Sequence, residues 1–394
     1  MDLILLIASM LLSFALVLIT TPPIVRVARA KRIFDVTDER KVHTLSVPTL
    51  GGIAIFIAVS ITTALFSSGY PTPDHHYVYA AMVTLFFVGI KDDIVFINPR
   101  TKFIIQLLVA IMLVGLGGYS LNNWQGVLAM FKVAPILGNI VTVALIVLLI
   151  NAYNLIDGID GLASGLGLMA SLFFGIWFYI NGIYIYALFS LSLAGALIGF
   201  MRFNLFGKQY KIFMGDTGSL LLGLMMAMQV VWFINMNLDK GLPYHVNNAP
   251  ALALAIVAVP LIDALRVFIL RLARGKSPFS PDQSHVHHRM LNFFPRHIHT
   301  TILMVFMNLM LVAIAVLLDY SRLSVNYQFL IILLTGILGT TLPGVILVSM
   351  KKNGKIEPVL PVRERPGVRV LTYKIKYNGH MISHPELKPE ETEK

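Results

Sequence analysis

Aspartates dominate the residues that could carry chemistry in this chain. Between Arg40 and Ile356 there is no glutamate, and seven aspartates fall at the ends of apolar segments or in the basic loops between them. Charged groups are costly in a bilayer and those found there are usually functional. Short carboxylates are hard oxygen ligands of the kind that Mg²⁺ prefers. The pattern predicts one shared polar site. The seven are Asp92, Asp93, Asp157, Asp160, Asp216, Asp263 and Asp282.

The segment from Asn151 to Gly161 has the clearest pattern. Asn151 and Asn154 are three residues apart on a helix and share a face, which Asp157 continues. Gly158 and Gly161 then allow a sharp turn and a close approach of the backbone to a ligand. A helix cap and a turn are the alternative reading. One cap does not require four polar side chains on one stripe, so the pattern favours a functional site.

Two shorter motifs lie at other segment ends. Asp92 and Asp93 are adjacent carboxylates whose repulsion calls for a cation, although they also fit a solvated helix end. Asp216 begins a later segment between Gly215 and Gly218. It fits either an ordinary N-cap or a phosphate site at a helix N-terminus.

The longest basic loop carries three histidines and an arginine, and it favours an anion site. The chain has no cysteine and these histidines include no pair four residues apart, so a closed zinc site is the weaker option. The planar guanidinium of Arg289 suits phosphate. A basic loop without a ligand is the alternative. The histidines are His285, His287 and His288.

Composition indicates the fold class. The 394 residues are 57% hydrophobic and 13% charged, whereas a soluble domain carries roughly 25% charged residues. The apolar segments are long enough to cross a bilayer and must then be helical. We therefore predict an all-α polytopic membrane protein with about eleven transmembrane helices. The predicted spans are 3–23, 50–68, 77–91, 103–119, 139–156, 162–180, 183–201, 213–235, 249–270, 301–318 and 327–349.

The basic residues predict the orientation. Of the 31 Lys and Arg residues, only Lys132, Lys240 and Arg322 lie in one set of loops. The richer side is expected to be cytosolic, so the N-terminus is outside, the C-terminus is cytosolic and the active site is at the cytosolic face. The net charge of +11 is thus a topology signal, and no nucleic-acid partner is expected.

The chain is expected to have two parts. Residues 1–349 are predicted to form the transmembrane domain, and residues 350–394 a small cytosolic tail. In that tail, the alternation from Val368 to Tyr377 predicts a strand, within a segment that either pairs as a hairpin or is partly disordered.

Five motifs in order carry a family resemblance over residues 1–349. They are Pro-Thr-Leu-Gly-Gly, Lys-Asp-Asp, Asn-Ala-Tyr-Asn-Leu-Ile-Asp-Gly-Ile-Asp-Gly, Phe-Met-Gly-Asp-Thr-Gly-Ser and His-Val-His-His-Arg. The chain resembles the polyprenyl-phosphate N-acetylhexosamine-1-phosphate transferases, in the superfamily of the phospho-MurNAc-pentapeptide translocase. Gln283 departs from the basic residue that many members carry after Pro-Asp.

The resemblance implies a reaction and its setting. A sugar 1-phosphate, by default GlcNAc-1-phosphate, would pass from a UDP-N-acetylhexosamine to undecaprenyl phosphate, with release of UMP. The product would be the first lipid-linked intermediate of a cell-surface polysaccharide, made in the bacterial cytoplasmic membrane. The cofactor would be Mg²⁺, with Mn²⁺ as a substitute. The resemblance leaves a homodimer open.

The resemblance also assigns roles by motif position. Phe213 would stack on uracil, Asp160 would help to read the uridine, and Asp92 would act as base or organiser for the lipid phosphate. The expected catalytic residues are Asp92, Asp93, Asp157, Asp160, His285, His287 and His288. The expected substrate-binding residues are Lys41, His43, Lys102, Asn151, Asn154, Asp160, Phe213 and Arg289. The expected metal ligands are Asp216 and Asn154.

Three alternatives stay open at this stage. A secondary transporter would place coupling acids near the bilayer midplane, where only Asp263 is expected, and an ion pair with Arg266 explains that residue. A CDP-alcohol phosphotransferase would need Ala-Arg after Asp-Gly, which the sequence lacks at Gly158. A phospho-MurNAc-pentapeptide transferase is the third.

Overall fold

The computed structural model describes residues 3–31, 33, 47–67, 75–273, 275, 290, 296–321, 323–352, 374–377 and 380–383. The chain divides into two compact units, Met1–Gly339 and Thr340–Lys394. The described residues form twelve α-helices and one hairpin. These are α1 Leu3–Ala30, α2 Gly51–Phe66, α3 His75–Ile94, α4 Pro99–Gly115, α5 Pro135–Ile156, α6 Leu162–Ile180, α7 Tyr184–Asn204, α8 Gly215–Met236, α9 Ala249–Ile256, α10 Ala258–Ala273, α11 His297–Asp319, α12 Val325–Lys352, β1 Lys374–Tyr377 and β2 His380–Ser383.

The protein is a polytopic membrane protein. Seven segments are long and apolar enough to cross a bilayer: α1, α5, α6, α7, α8, α11 and the part of α12 from Val325 to Leu342. The pair α9 and α10 makes an eighth if the two are one bent span, and α2 is apolar but has only 16 residues. Each predicted span coincides with a helix or, for 249–270, with this pair. The number of crossings stays a prediction.

Helix α8 lies at the centre of the first unit. Its membrane-spanning segment is buried completely, because the sequence is apolar on every face and so gives no side to solvent or lipid. The helices α5, α3, α2 and α6 surround it. The N-terminal residues of α8, which include Asp216, therefore emerge among the ends of several other helices.

Glycines let two of these helices touch the backbone of α8. A Cβ atom at Gly52 of α2 would lie 2.1 Å from the Gly218 nitrogen, and one at Gly89 of α3 would lie 2.3 Å from the Thr217 Cα atom. Small residues permit such close approach between membrane helices. The two contacts fix the start of α8 against α2 and α3.

Two predictions about elements can be compared with the structure. The predicted span 249–270 is not one unbroken helix, because the helix breaks at Val257 and the axes of α9 and α10 differ by 78°, and whether the pair is one bent span stays a prediction. In the tail, β1 and β2 form the antiparallel hairpin, with Lys374 opposite Ser383. Residues 368–373 of the predicted strand lie outside the described residues, and the predicted domain boundary at residue 349 stays a prediction.

We expect Gly52→Ala to destabilise the fold, because a methyl group there meets backbone atoms that cannot move aside. The thermal unfolding temperature in detergent should fall by roughly 5 °C or more. Gly115→Ala is the matched control, because a Cβ atom there has nothing within 4 Å. Equal unfolding temperatures for the two variants would contradict the backbone contact.

Candidate functional site

One cavity of about 1630 Å³ brings together nine of the predicted site residues. They come from α3, α4, α5, the loop after α5, and the segment that begins α8. The other six predicted residues, Lys41, His43, His285, His287, His288 and Arg289, lie outside the described residues. The nine that line the cavity are Asp92, Asp93, Lys102, Asn151, Asn154, Asp157, Asp160, Phe213 and Asp216.

Lys102 is the centre of the polar cluster. Its Nζ atom lies 2.9 Å from Asp92 Oδ2 and 2.5 Å from Asp216 Oδ1. The same ammonium also contacts Asn154 Oδ1 at 3.5 Å. The Asn154 amide nitrogen donates to Asp216 and, at 2.8 Å, to Ser219 Oγ. The helices α3, α4, α5 and α8 are thus joined through one lysine and one asparagine.

Asp93 holds the first turn of α8. Its carboxylate accepts the Asp216 N–H at 2.7 Å, the Thr217 N–H at 3.0 Å and the Thr217 hydroxyl at 2.5 Å. The first N–H groups of any helix lack partners within that helix. Here Asp93, at the end of α3, accepts their hydrogen bonds. Gly215 has φ +70°, and a Cβ atom there would lie 1.9 Å from the Thr49 carbonyl oxygen. The contacts of Asp93 give it a positioning role for Asp216, and its catalytic role stays a prediction.

The motifs around Gly51 and Phe213 pair through their backbones. The Phe213 N–H donates to the Pro48 carbonyl at 2.8 Å, and the Gly51 N–H donates to the Phe213 carbonyl at 2.9 Å. The Gly52 N–H donates to the Met214 carbonyl at 2.9 Å. This pairing holds the Phe213 ring, which is 37% exposed, at the cavity wall.

Asp160 is held by two basic residues that the sequence analysis did not select. Lys211 Nζ lies 2.7 Å from Asp160 Oδ2 and 5.6 Å from the centre of the Phe213 ring. His297 Nδ1 lies 3.4 Å from the same carboxylate oxygen. Burial alone would raise the pKa of Asp160, but the hydrogen bonds from His297 and Lys211 outweigh it and lower that pKa. Asp160 therefore stays ionised beside Phe213.

Asp157 has the opposite environment. Among the residues that the structure describes, none makes a hydrogen bond or ion pair with its carboxylate. Burial, together with repulsion by Asp216, Asp93 and Asp160, raises the pKa of Asp157 well above its usual value. Of the residues that the structure describes, five aspartates line the cavity together with Lys102 and Arg271.

Two amide side chains, the buried Asn204 and the half-buried Asn151, position the cavity residues. Asn204 accepts the Gly161 N–H at 2.6 Å and donates to the Ile212 carbonyl at 3.0 Å, so it joins the two loops of the site. Asn151 donates to Gln106 Oε1 at 2.6 Å and so links α5 to α4. Asn204 was missed because it ends an apolar helix alone, without a motif around it.

The cavity continues as an apolar arm between α4 and α5. On α5 the lining extends from Asn139 to Asn154, which is roughly 22 Å at 1.5 Å per residue. Helix α10 adds Ala264, Phe268 and Arg271. The arm is lined by Phe103, Leu107, Ile111 and Val114 of α4 and by Ile140, Val143, Ala144, Val147 and Leu148 of α5.

The donor atoms fit a hard cation that is shared with a substrate. In the described parts of the chain, no three His, Asp or Glu side chains form a complete metal site. Mg²⁺ commonly takes one or two carboxylates and completes its shell with water and substrate phosphates. The oxygens of Asp216, Asp92 and Asn154 already surround a positive charge, the Lys102 ammonium. The same oxygens suit a divalent cation once phosphate groups are present.

The chain is similar to several known proteins. The profile of Glycosyl transferase family 4 matches residues 75–234, which include all nine of the predicted site residues that line the cavity. The chain is similar to the undecaprenyl-phosphate alpha-N-acetylglucosaminyl 1-phosphate transferase of Escherichia coli K12, with 30% identity over 318 residues, 78% of this chain and 83% of that protein. The protein of the same name from Yersinia pestis is 33% identical over 269 residues, 66% of this chain and 69% of its own.

A relative whose name gives decaprenyl phosphate is also similar. The decaprenyl-phosphate N-acetylglucosaminephosphotransferase of Mycolicibacterium smegmatis is 34% identical over 286 residues. The similarity covers 66% of this chain and 68% of that protein.

We expect Asp157→Asn to raise the unfolding temperature at pH 8 by roughly 2 °C or more, measured without divalent cations. The pKa of Asp157 is raised in the folded protein. Ionisation of its carboxyl group therefore lowers the free energy of unfolding at any pH above the pKa that this group has in the unfolded chain, which is about 4. The gain should therefore shrink as the pH falls from 8 to 5. Asp239→Asn, at an exposed loop, is the control. An unchanged or lower unfolding temperature for Asp157→Asn would contradict the repulsion.

Proposed function

Since this chain belongs to glycosyl transferase family 4, we propose that it transfers N-acetylglucosamine 1-phosphate from UDP-GlcNAc to undecaprenyl phosphate and releases UMP. The observation that carries the proposal is the position of the Lys102 cluster at one end of an apolar arm. An amphipathic acceptor needs both a charged site and an apolar channel. The product would be the first lipid-linked intermediate of a cell-surface polysaccharide.

The polar end of the cavity suits two phosphate-bearing substrates. A nucleotide diphosphate and a lipid phosphate bring several negative charges together, and fixed positive groups must offset them before transfer. Bound at Asp216 and Asn154, Mg²⁺ would polarise the donor diphosphate and neutralise part of its charge. Lys102 supplies a second positive charge, and Phe213 with Asp160 and Lys211 offers an aromatic face and polar groups to the uridine.

The apolar arm suits the prenyl chain of the acceptor. A prenyl chain makes apolar contacts both in the bilayer and in the protein, so these contacts alone do not favour binding. Its binding depends on the shape of the arm and on the phosphate held at the polar end of the cavity. The arm begins at Lys102 and follows α4 and α5. Its lining on α4, from Phe103 to Val114, extends roughly 17 Å, which is about half of a ~30 Å hydrocarbon core. The arm therefore holds the first isoprene units, and the rest of the chain extends into the bilayer.

We infer direct transfer to the acceptor phosphate. An oxygen of the lipid phosphate attacks the β-phosphorus of the donor, and the bond to the bridging oxygen breaks, so UMP leaves with that electron pair. A phosphate monoester has its second pKa at about 6 and is mostly dianionic at neutral pH, so it needs little help from a base. Asp92 then orients Lys102 and the acceptor phosphate.

The contacts of Asp92 and Asp93 support this route over an aspartyl intermediate. Both Asp92 oxygens are engaged, one by the Ile97 N–H at 2.7 Å and the other by Lys102 at 2.9 Å. Both Asp93 oxygens accept hydrogen bonds from the first turn of α8. A carboxylate held in this way is a poorer nucleophile than a free one.

The topology of the proposed enzyme follows from its basic residues. About eleven spans place the N-terminus outside and the C-terminus in the cytosol of a bacterium. The cavity acids then lie at the cytosolic face of the cytoplasmic membrane, where nucleotide sugars are available. Residues 1–349 form the membrane domain and 350–394 a cytosolic tail in this proposal, and a homodimer stays a prediction.

The transporter alternative has less support. Coupling acids in transporters lie near the midplane of the bilayer. Asp263, the aspartate expected nearest the midplane, makes an ion pair with Arg266 at 2.7 Å. The aspartates that line the cavity lie at helix ends and in a loop.

The decisive assay is UMP release by the purified protein with undecaprenyl phosphate, Mg²⁺ and a panel of UDP-sugars. We expect release with UDP-GlcNAc, and a loss of roughly 10²-fold or more in Asp216→Ala and Asp92→Asn. Asp239→Asn is the control and should keep full activity. No release from any UDP-sugar in an active lipid preparation would overturn the proposal, and release from a different sugar alone would change the donor.

The direct route has its own test. The protein is incubated with UDP-GlcNAc labelled at the β-phosphorus, without acceptor lipid, and then analysed by mass spectrometry. We expect no label on the protein and no exchange of UMP. A phosphosugar adduct on Asp92 or Asp93 would establish the two-step route instead.

A further inference from the structure

The break between α9 and α10 leaves backbone groups without their usual helical partners. Pro260 has no N–H, so the Ile256 carbonyl cannot receive the normal bond from the residue four positions later. The axes of the two helices differ by 78° at this point. Unpaired backbone groups are costly at membrane depth, and broken membrane helices therefore need partners from elsewhere. The residue that supplies these partners therefore also fixes the direction of α10.

One side chain of α11 supplies the missing partners. The Asn308 amide nitrogen donates to the Ile256 carbonyl at 2.9 Å and to the Ala255 carbonyl at 3.3 Å. Its Oδ1 atom accepts the Val259 N–H at 3.0 Å. Ala255 and Val259 would bond directly in a continuous helix, and here the Asn308 amide lies between them in the manner of an inserted peptide group. Asn308 is fully buried.

The direction of α10 determines one wall of the cavity. Ala264, Phe268 and Arg271 line it, and their spacing of four and three residues places them on one helix face. Helix α10 packs against α5, which also forms the apolar arm. Along this face two apolar residues are followed by a buried arginine at the helix end. A polyprenyl phosphate has the same order, with an apolar chain that ends in an anion.

We propose that Asn308 is a positioning residue for the acceptor lipid, because it holds the bend that places Phe268 and Arg271 on the cavity wall. The inference rests on the proposed function for the identity of the acceptor. Asn308 itself touches no cavity residue named above and acts only through α10. Loss of its amide should therefore affect acceptor binding more than donor binding, since Asp160, Lys211 and Phe213 are held by other contacts.

The kinetic test compares Asn308→Ala with Asn237→Ala. Asn237 is a matched control because it is also buried and bonds to backbone groups, the Phe233 carbonyl and the Val246 N–H, at the other end of α8. We expect Asn308→Ala to raise the KM for undecaprenyl phosphate about tenfold and the KM for UDP-GlcNAc less than about twofold. Phe268→Ala, which removes part of the wall, should reproduce the effect. Equal rises in both KM values would overturn the proposal.

Asn308→Asp provides the conservative variant. A protonated carboxyl group can accept the Val259 N–H and donate one hydrogen bond, so the KM for the acceptor should lie between those of wild type and Asn308→Ala. If Asn308→Ala does not fold, Asn308→Asp is compared with Asn237→Ala in its place. The proposal would be overturned if Asn308→Asp has the wild-type KM for undecaprenyl phosphate and Asn308→Ala either has that KM too or does not fold.

A second readout does not depend on activity. The chain has no cysteine, so spin labels can be attached at Ile269→Cys on α10 and Ile19→Cys on α1, both exposed. Asn308→Ala or Asn308→Asp should broaden the distance distribution between the labels, whereas Asn237→Ala should not. An unchanged distribution would overturn the role of Asn308. If wild type releases no UMP, the proposed function fails, and the label distances still test whether Asn308 holds the bend.

Discussion

A single ammonium group, that of Lys102, holds the reactive end of this protein together. Asp92 and Asp216 belong to different helices, and their carboxylates would repel each other without the positive charge between them. Asn154 adds the end of α5 to the same cluster. Because a partly buried charge is costly without its partner, loss of one of these contacts destabilises the others. The rest of the first unit can be understood as the packing that allows four helix ends to meet at this lysine.

Near Asp216 that packing includes direct contact between helix backbones. Gly52 and Gly89 let α2 and α3 touch α8, and Asp93 then satisfies the first N–H groups of α8. The same residues that set the geometry of Asp216 also stabilise the helix on which it lies. Asp157 shows the cost of the arrangement, since its carboxylate is placed among other acids and its pKa is raised. Carboxylates whose pKa is strongly shifted are typical of functional sites.

Much of the fold could be predicted from the sequence, because apolar segments of span length have few other solutions. The Asn151–Gly161 pattern also predicted a polar face that the structure places in the cavity. The break at Val257 was missed, although Pro260 was a visible signal. Lys211, His297 and Asn204 were missed because each acts through a contact between distant segments, which spacing within one segment cannot reveal. The pairing of Asp93 with α8 was hidden for the same reason.

The most direct test of this account is the unfolding temperature of Lys102→Met in detergent, with and without Mg²⁺, beside the exposed control Lys91→Met. Methionine keeps an unbranched side chain that is one atom shorter, and it removes the charge together with the hydrogen bonds of the ammonium group. The account predicts that Lys102→Met unfolds roughly 4 °C or more below wild type without divalent cation, and that Mg²⁺ restores most of the difference. An unfolding temperature equal to that of wild type in both conditions would contradict the central role of Lys102.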